Sequence, residues 1–286
     1  MLPFNVNGIP NGPSRTDPTH FLTGDVRTNE QVGLTAMHTL FVREHNFWAD
    51  EFHRTFRHWR DEDIFQMARA IVAAECQVIT FNEWLPVLLG PDAISPYTGY
   101  QPHVNAGIDN VFAAAAFRVG HTLLSPTLAR LDKKLRPIPL GHLPLRDSFF
   151  SPSAFVQSGV DPLLRGLATQ RAQELDNMIV EDVRNFRFGP PGSGGFDLAS
   201  LNIQRGREHG LPSYNQARAD YDLSRNASFT DVNRDPAVHT RLAAAYAVVD
   251  DIDIWVGALS ESHLPGAMLS DTLFTILEDQ FERLRD

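Results

Sequence analysis

The chain has one cysteine, Cys76, among 286 residues. That excludes an internal disulfide and any cysteine-built metal cluster. Cys76 lies in AIVAAECQVITF at helical spacing from apolar neighbours, which predicts a buried, inert thiol rather than a reactive one. A lone thiol suits a reducing compartment and is equally compatible with export. Excess basic charge is also lacking: 25 Lys and Arg face 35 Asp and Glu, a formal net charge of -10. A general affinity for nucleic acid is therefore excluded. No window reads as the roughly 18 or more apolar residues of a membrane span. The start, MLPFNVNGIPNGPSR, has no basic stretch followed by an apolar run, so no signal peptide is expected. A Gly-rich phosphate loop, HExxH and GxSxG are missing too.

What is present suits a folded chain. Hydrophobic residues are 43% and aromatics 10%, enough for a sizeable core, and the 21% charged residues are mixed in sign. Residues 1–26, rich in Gly, Pro and Asn, read as an extended arm. Helical periodicity then covers 30–58, with Val32, Leu34, Met37, Leu40, Phe41, Phe47 and Trp48 as the apolar positions. A second pattern covers 63–89 and stops near Gly90-Pro91. DNVFAAAAFRVGHTLL at 109–124 reads as a small-residue helix that a neighbour can approach closely. Helical patterns resume at 161–187, and GPPGSGG at 189–195 reads as a surface loop. Asp197 is a candidate N-cap for LASLNIQRGRE, and further patterns cover 214–221, 236–257 and 266–285. No alternating run is long enough to argue for a sheet, and no repeat is found. The expected class is mainly α with long loops, in one domain over 1–286.

Eleven histidines are the place to look for chemistry. His53 and His58 fall among Arg54, Arg57 and Arg60, a solvated face. His38 and His45 share a helix face but have no evident third metal ligand. His121 stands apart in the apolar FAAAAFRVGHTLL, with Arg118 one turn before it. A buried imidazole and a buried cation need partners, or a cofactor with acidic groups. On its own, His121 would be better explained as a hydrogen-bonded core histidine. The second candidate, LNIQRGREHGLPSYNQAR, crowds Asn202, Gln204, Arg205, Arg207, Glu208 and His209 into one helix end. It reads either as a buried polar network or as a surface salt-bridge cluster. The third is Arg27 with Glu30 at the mouth of the first long helix, which alone is ordinary helix-end chemistry.

Taken together, FLTGDVRTNEQVGLTAMHTLFVREHN, AFRVGHTLLSP and DLASLNIQRGREHGLPSYNQAR resemble, in order and spacing, the core blocks of the animal-type haem peroxidase family. IDIWVGALSE at 252–261 and QFERLRD at 280–286 resemble two further blocks, so the resemblance covers nearly the whole chain. It implies a helical haem peroxidase domain that uses hydrogen peroxide and small organic or halide donors. His121 would be the proximal iron ligand, and Asn202 would accept a hydrogen bond from the other imidazole nitrogen. Arg27 would stabilise charge on the peroxide. Glu30 would be the carboxylate that can form an ester with a haem methyl. Arg118 and Arg205 would pair with haem propionates or hold the proximal side. Gln31 stands where a methionine makes a further haem link in some members, so that link is not expected.

The resemblance also has gaps. The family's distal histidine lies in a motif of the type GQFxDHD, and its calcium loop lies in the same upstream region. Neither segment is found here, and His20 in DPTHFLTGD sits in the wrong motif to replace that histidine. The chain reads as truncated at both ends, and a second chain could supply the distal segment. A positioned base is worth about 10²–10⁴-fold, so weak turnover is expected from this chain alone. The competing reading is a non-catalytic haem-binding or interaction protein. A fatty-acid oxygenase is disfavoured, because Phe117, Arg118, Val119 and Gly120 precede His121 where a radical-forming tyrosine is needed. A helical scaffold without haem would leave Arg118, Asn202 and Arg205 unexplained. By family resemblance the protein is expected outside the cell.

Overall fold

A computed structural model describes residues 2–10, 17–186 and 195–286. The loop expected at 189–195 therefore lies outside the described residues, except for Gly195. The helices are α1 (Val32–Thr55), α2 (Asp61–Val78), α3 (Leu85–Leu89), α4 (Asn110–Ala114), α5 (Pro152–Ser158), α6 (Val160–Thr169) and α7 (Glu181–Arg184). They continue with α8 (Leu198–Glu208), α9 (Tyr214–Asp220), α10 (Phe229–Val232), α11 (Pro236–Ala245), α12 (Ile254–Ser260) and α13 (Asp271–Arg285). Among the described residues the one sheet is a two-residue antiparallel pair, β1 (Thr127–Leu128) with β2 (Leu143–Pro144). The mainly α expectation holds.

The chain divides into two compact units that interleave along the sequence. The first takes residues 1–78, 125–172 and 181–196, and the second takes 79–124, 173–180 and 197–286. Because each unit is assembled from separate stretches, no composition break marks a boundary between them.

In the first unit α1 packs on α2, α5 and α6. Its core joins Phe21, Val32, Ala36, Phe155, Val160 and Leu163, with the Phe21 and Phe155 rings edge-on at 5.4 Å. The covered stripe of α1 is Val32, Gly33, Thr35, Ala36 and Thr39. Leu34, Met37, Leu40 and Phe47, expected inside, are exposed. Hydropathy misses the buried threonines because their hydroxyls are satisfied locally. Thr35 Oγ1 donates to Thr28 O and Thr39 Oγ1 to Thr35 O, both at 2.7 Å. The helix starts where Gln31 accepts the Leu34 N–H.

Helix α2 opens on Asp61, Glu62 and Asp63, which suit the positive helix start. It runs on through a π-helical turn, Ile79–Trp84, into α3 and ends at Gly90, as expected. Gly90 has φ 107, a conformation open to glycine. The helical run Asp61–Leu89 has 29 residues and a window of mean hydropathy 1.3, which by length and composition is enough to cross a membrane. This corrects the sequence reading that no such window exists. Of that window 11% is buried inside the protein, and within the run Ile64, Ala68, Leu85, Leu88 and Leu89 are the buried residues. Cys76 is exposed, not buried, because the covered strip of α2 is limited to Ile64 and Ala68.

The second unit is built on α3, α4, α8, α9, α12 and α13. Its core includes Leu85, Phe112, Trp255, Leu273, Ile276 and Phe281. The helix expected over 109–124 breaks at Ala115 (φ -134, ψ -71) and continues as a 3₁₀ segment, Ala116–His121. Ala114, Ala115 and Ala116 are all buried. Close packing here overrides the helix propensity of alanine. The pattern read at 161–187 is likewise interrupted, since α6 ends at Thr169 and α7 begins only at Glu181. Gln170 caps that break: its side chain donates to Thr127 O at 2.7 Å and accepts from Ala129 N at 2.9 Å.

Candidate functional site

The 3₁₀ segment turns His121 toward α8, and both belong to the second unit. Asp197 caps α8 as expected, accepting from Ala199 N at 2.9 Å and Ser200 N at 3.2 Å. This start places Asn202 on the inner face, fully buried. Asn202 Nδ2 lies 2.8 Å from His121 Nδ1. Arg118 Nη1 donates to Asn202 Oδ1 at 3.0 Å, and Arg118 Nε donates to Ala113 O at 3.3 Å. Three of the residues singled out in the sequence, 81 and 84 positions apart across the two segments, thus form one hydrogen-bonded set.

The direction of that set differs from expectation. Asn202 was expected to accept from the imidazole, yet its amide nitrogen faces Nδ1. The cause is Arg118, whose guanidinium can only donate and so takes the amide oxygen.

Arg205 does not join the set. It is exposed and faces Glu208 at 3.6 Å. Of the polar run on α8, Asn202 alone is buried, while Gln204, Arg205, Arg207, Glu208 and His209 are exposed. The surface-cluster reading holds for most of this run. Arg207 pairs with Asp253 through two contacts of 2.8 and 2.7 Å. Burial pushes the Asp253 carboxyl up, but the hydrogen bonds from Arg207 and Tyr246 outweigh it and hold the carboxyl below its usual range. Burial, aided by that hydrogen bond, pushes Tyr246 up to about 12.

The sequence reading missed a small cavity beside Asn202. It holds about 20 Å³, room for one water. Asn202, Arg207, Asp253 and Trp255 line it. Trp255 Nε1 is buried and meets no acceptor among the described residues. An aromatic in a stretch read only as a further family block gave no signal for this.

Arg27 and Glu30 belong to the first unit. Arg27 sits in a 3₁₀ turn, Val26–Asn29, capped by Asp25. Its guanidinium faces Asp25, not Glu30, with Nε to Oδ1 at 3.0 Å and Nη2 to Oδ2 at 2.7 Å. The Arg27 side chain is 76% exposed. The hydrogen bond from the Arg27 side chain, then that from its backbone N–H, draws the Asp25 carboxyl down to about 2. An aspartate two positions before an arginine at a turn start was the signal for this pair. The Glu30 N–H donates to Arg27 O and its carbonyl accepts from Phe150 N, so its backbone is fixed on both sides. Histidines 38 and 45 build no metal site: among the described residues no group of three His, Cys, Asp or Glu could hold an ion.

The donor set of the second unit fits haem. It offers an imidazole oriented through one ring nitrogen, with an arginine beside it able to meet a carboxylate.

Comparison with known proteins agrees. The chain is 40% identical to peroxinectin A of Dictyostelium discoideum, over all of this chain and 53% of that protein. It is 43% identical to a peroxidasin homologue of Mus musculus, over 93% of this chain and 19% of that protein. The chain thus spans about half or less of the length of these relatives. The solved structure of peroxidase A from Dictyostelium discoideum superposes with a TM-score of 0.94 at 38% identity, over 99% of this chain and 55% of that one. Fatty acid alpha-dioxygenase from Oryza sativa, at 21% identity and a TM-score of 0.79, shares the fold. A profile described as animal haem peroxidase matches residues 1–286, and the chain belongs to that family.

Proposed function

We propose that this chain is the haem-holding part of a peroxidase that reduces hydrogen peroxide and oxidises organic or halide donors. The observation that carries the reading is the His121–Asn202–Arg118 set, an imidazole oriented by a buried amide on a short 3₁₀ segment. His121 would hold the iron and Asn202 would fix the ring. Haem supplies the redox chemistry on peroxide when bound. Arg118 would meet a propionate, and a charge-assisted pair there would orient the cofactor. Arg205 is the weaker candidate for that role, given its exposure. Arg27 would meet the negative charge that develops as the peroxide bond breaks. Its pairing with Asp25 means that it must exchange partners to do so. Glu30 would be the carboxylate that can esterify a haem methyl. A site outside the cell is inferred from the family alone.

A base that moves the peroxide proton is worth about 10²–10⁴-fold. No residue of the chain matches the family's distal-histidine motif, and slow turnover is therefore expected of the isolated chain. The second reading is a haem-binding protein without turnover. The test is a visible spectrum of the purified chain with haemin, before and after hydrogen peroxide, beside His121→Ala. A Soret band that shifts on peroxide and is lost in the variant supports the peroxidase. A band that ignores peroxide supports the second reading. Equal haem binding by His121→Ala would remove His121 as ligand.

A further inference from the structure

Among the described residues, Leu135, Phe150 and Asp222 have a left-handed backbone without being glycine. Two of them have a local reason. Leu135 lies in a tight turn that Asp132 N closes on Arg136 O at 2.8 Å. Asp222 comes just after Tyr221, the C-cap of α9, where helix ends commonly take this conformation. Phe150, at φ 46, is different. A bulky aromatic is a genuine outlier there. Its N–H leaves the local chain and donates to Glu30 O at 3.1 Å.

The neighbours of Phe150 explain why the strain falls on it. Before it, Phe149 pairs with Gln31 in an antiparallel bridge. After it, Ser151 precedes Pro152, the first residue of α5, and the helical region is disfavoured for a residue before proline. Ser151 accordingly has φ -116 and ψ 69. Helix α5 is anchored by Phe155, fully buried and edge-on to Phe21. The reversal between bridge and helix must therefore fall on residue 150. With an ordinary negative φ the chain could keep this N–H on Glu30 or Phe155 in the core, but not both. Such strain persists only where the surroundings over-determine it, and it clusters at functional sites. The segment it holds is Glu30 and Gln31. Glu30 N donates to Arg27 O at 2.9 Å, closing the turn that carries Arg27, and Gln31 caps α1 at Leu34 N.

We propose that Phe150 is a positioning residue for Glu30 and acts through its left-handed backbone rather than its ring. It pins the Glu30 carbonyl, so that the Glu30 side chain leaves the chain in one direction. The haem step rests on the proposed function, under which Glu30 can esterify a haem methyl. In that reaction a Glu30 carboxyl oxygen joins the methyl carbon and each partner loses one hydrogen. One hydrogen peroxide takes up both hydrogens and becomes two waters. The clamp on Glu30 stands without that step.

The experiment is NMR of the chain without cofactor, on the parent protein, Phe150→Gly, Phe150→Asn and Phe150→Ala. In the parent, residue 150 should show the strong intraresidue HN–Hα Overhauser effect of a positive φ and a protected amide. All three variants lose the ring, but glycine and asparagine accept the left-handed region and alanine resists it. The residue 150 amide should exchange about tenfold faster in Phe150→Ala than in Phe150→Gly. The Glu30 carboxyl ¹³C signal should keep its parent position in Phe150→Gly and Phe150→Asn and move in Phe150→Ala. A role of the ring in packing would move it in all three alike. A negative φ at Phe150 in the parent would overturn the proposal without any variant. So would equal exchange in Phe150→Gly and Phe150→Ala. Mass spectrometry after haemin and hydrogen peroxide reads the haem step. Covalently held haem should persist in Phe150→Gly and fall several-fold in Phe150→Ala, and equal amounts in both would refute the link to haem. If the parent holds no haem covalently, the proposed role of Glu30 falls and takes the haem step with it, while the exchange and carbon signals still decide the clamp.

Discussion

Substituting Arg218 by Met should destabilise the second unit far more than a surface change would. Arg218 lies buried on α9, and its Nη1 donates to Glu261 Oε1 at 2.6 Å and to Thr272 Oγ1 at 2.8 Å. Its Nε donates to Ser224 O at 2.7 Å. The Glu261 carboxylate also receives Tyr214 Oη and Thr272 Oγ1, both at 2.5 Å, and Thr272 N at 3.0 Å. Burial acts against the Arg218 charge, yet Glu261 outweighs it and raises the guanidinium above its ordinary range. Methionine fills much of the same volume but leaves a buried carboxylate without its cation. Breaking one partner of such a pair costs about 3–5 kcal/mol. The three remaining donors on Glu261 put this case near the lower end, at roughly 3 kcal/mol. Asp271, at 3.2 Å from Arg218 but 43% exposed, adds little.

The assay is urea unfolding followed by far-ultraviolet circular dichroism, on Arg218→Met, Glu261→Gln and the double variant. The two sites share a bond, so their costs should not add, and the double variant should lose less than the sum by about 1 kcal/mol or more. A loss below about 1 kcal/mol in Arg218→Met would mean that water reaches Glu261, contrary to its burial. Additive costs would mean that the two groups do not interact in solution.

Three further outcomes can be measured. Asp25 should titrate with a midpoint near 2 by carboxyl ¹³C NMR, well below the ordinary aspartate value of 3.8. Its folded value is the lower one, so its small contribution to stability is present above pH 4 and is lost as pH falls through 2. The pair is exposed, which keeps that contribution small, and a midpoint near 4 would show that Arg27 does not hold it. Gly257→Ala should destabilise by about 3 kcal/mol or more, because the new Cβ would lie 2.3 Å from Tyr214 Cγ in a packed core; an unchanged thermal midpoint would contradict that packing. Asp197→Ala should cost about 1 kcal/mol through loss of the α8 cap, and it should loosen Asn202 with the helix start. Asp197→Asn, which keeps the acceptor, should recover most of the loss.

Much of the fold could be read from the sequence because it depends on local chemistry. The stop at Gly90, the cap at Asp197 and the long helices all follow from single residues or short periods. The failures have a common origin in packing. The alanine run of 113–116 favours a helix, but the burial of Ala114, Ala115 and Ala116 against neighbours accompanies a break at Ala115. Leu34, Met37 and Leu40 fit the apolar period, but the covered face of α1 is the one that carries Thr35 and Thr39. Cys76 failed in the same way, since an apolar neighbourhood in sequence does not determine which side of a helix is covered.

At the site, residue identity was more legible than residue arrangement. His121, Asn202 and Arg118 stand in motifs long enough to be read without a structure, and they do meet. Arg205, drawn from the same motif, does not join them: its side chain is exposed and faces Glu208 instead. The direction of the Asn202 amide could not be read at all. A histidine and an asparagine alone allow either orientation, and the choice falls to a third group that only donates. The partner of a ligand histidine is therefore an incomplete description of such a site. What the partner itself is bonded to determines which of its groups it turns toward the ring.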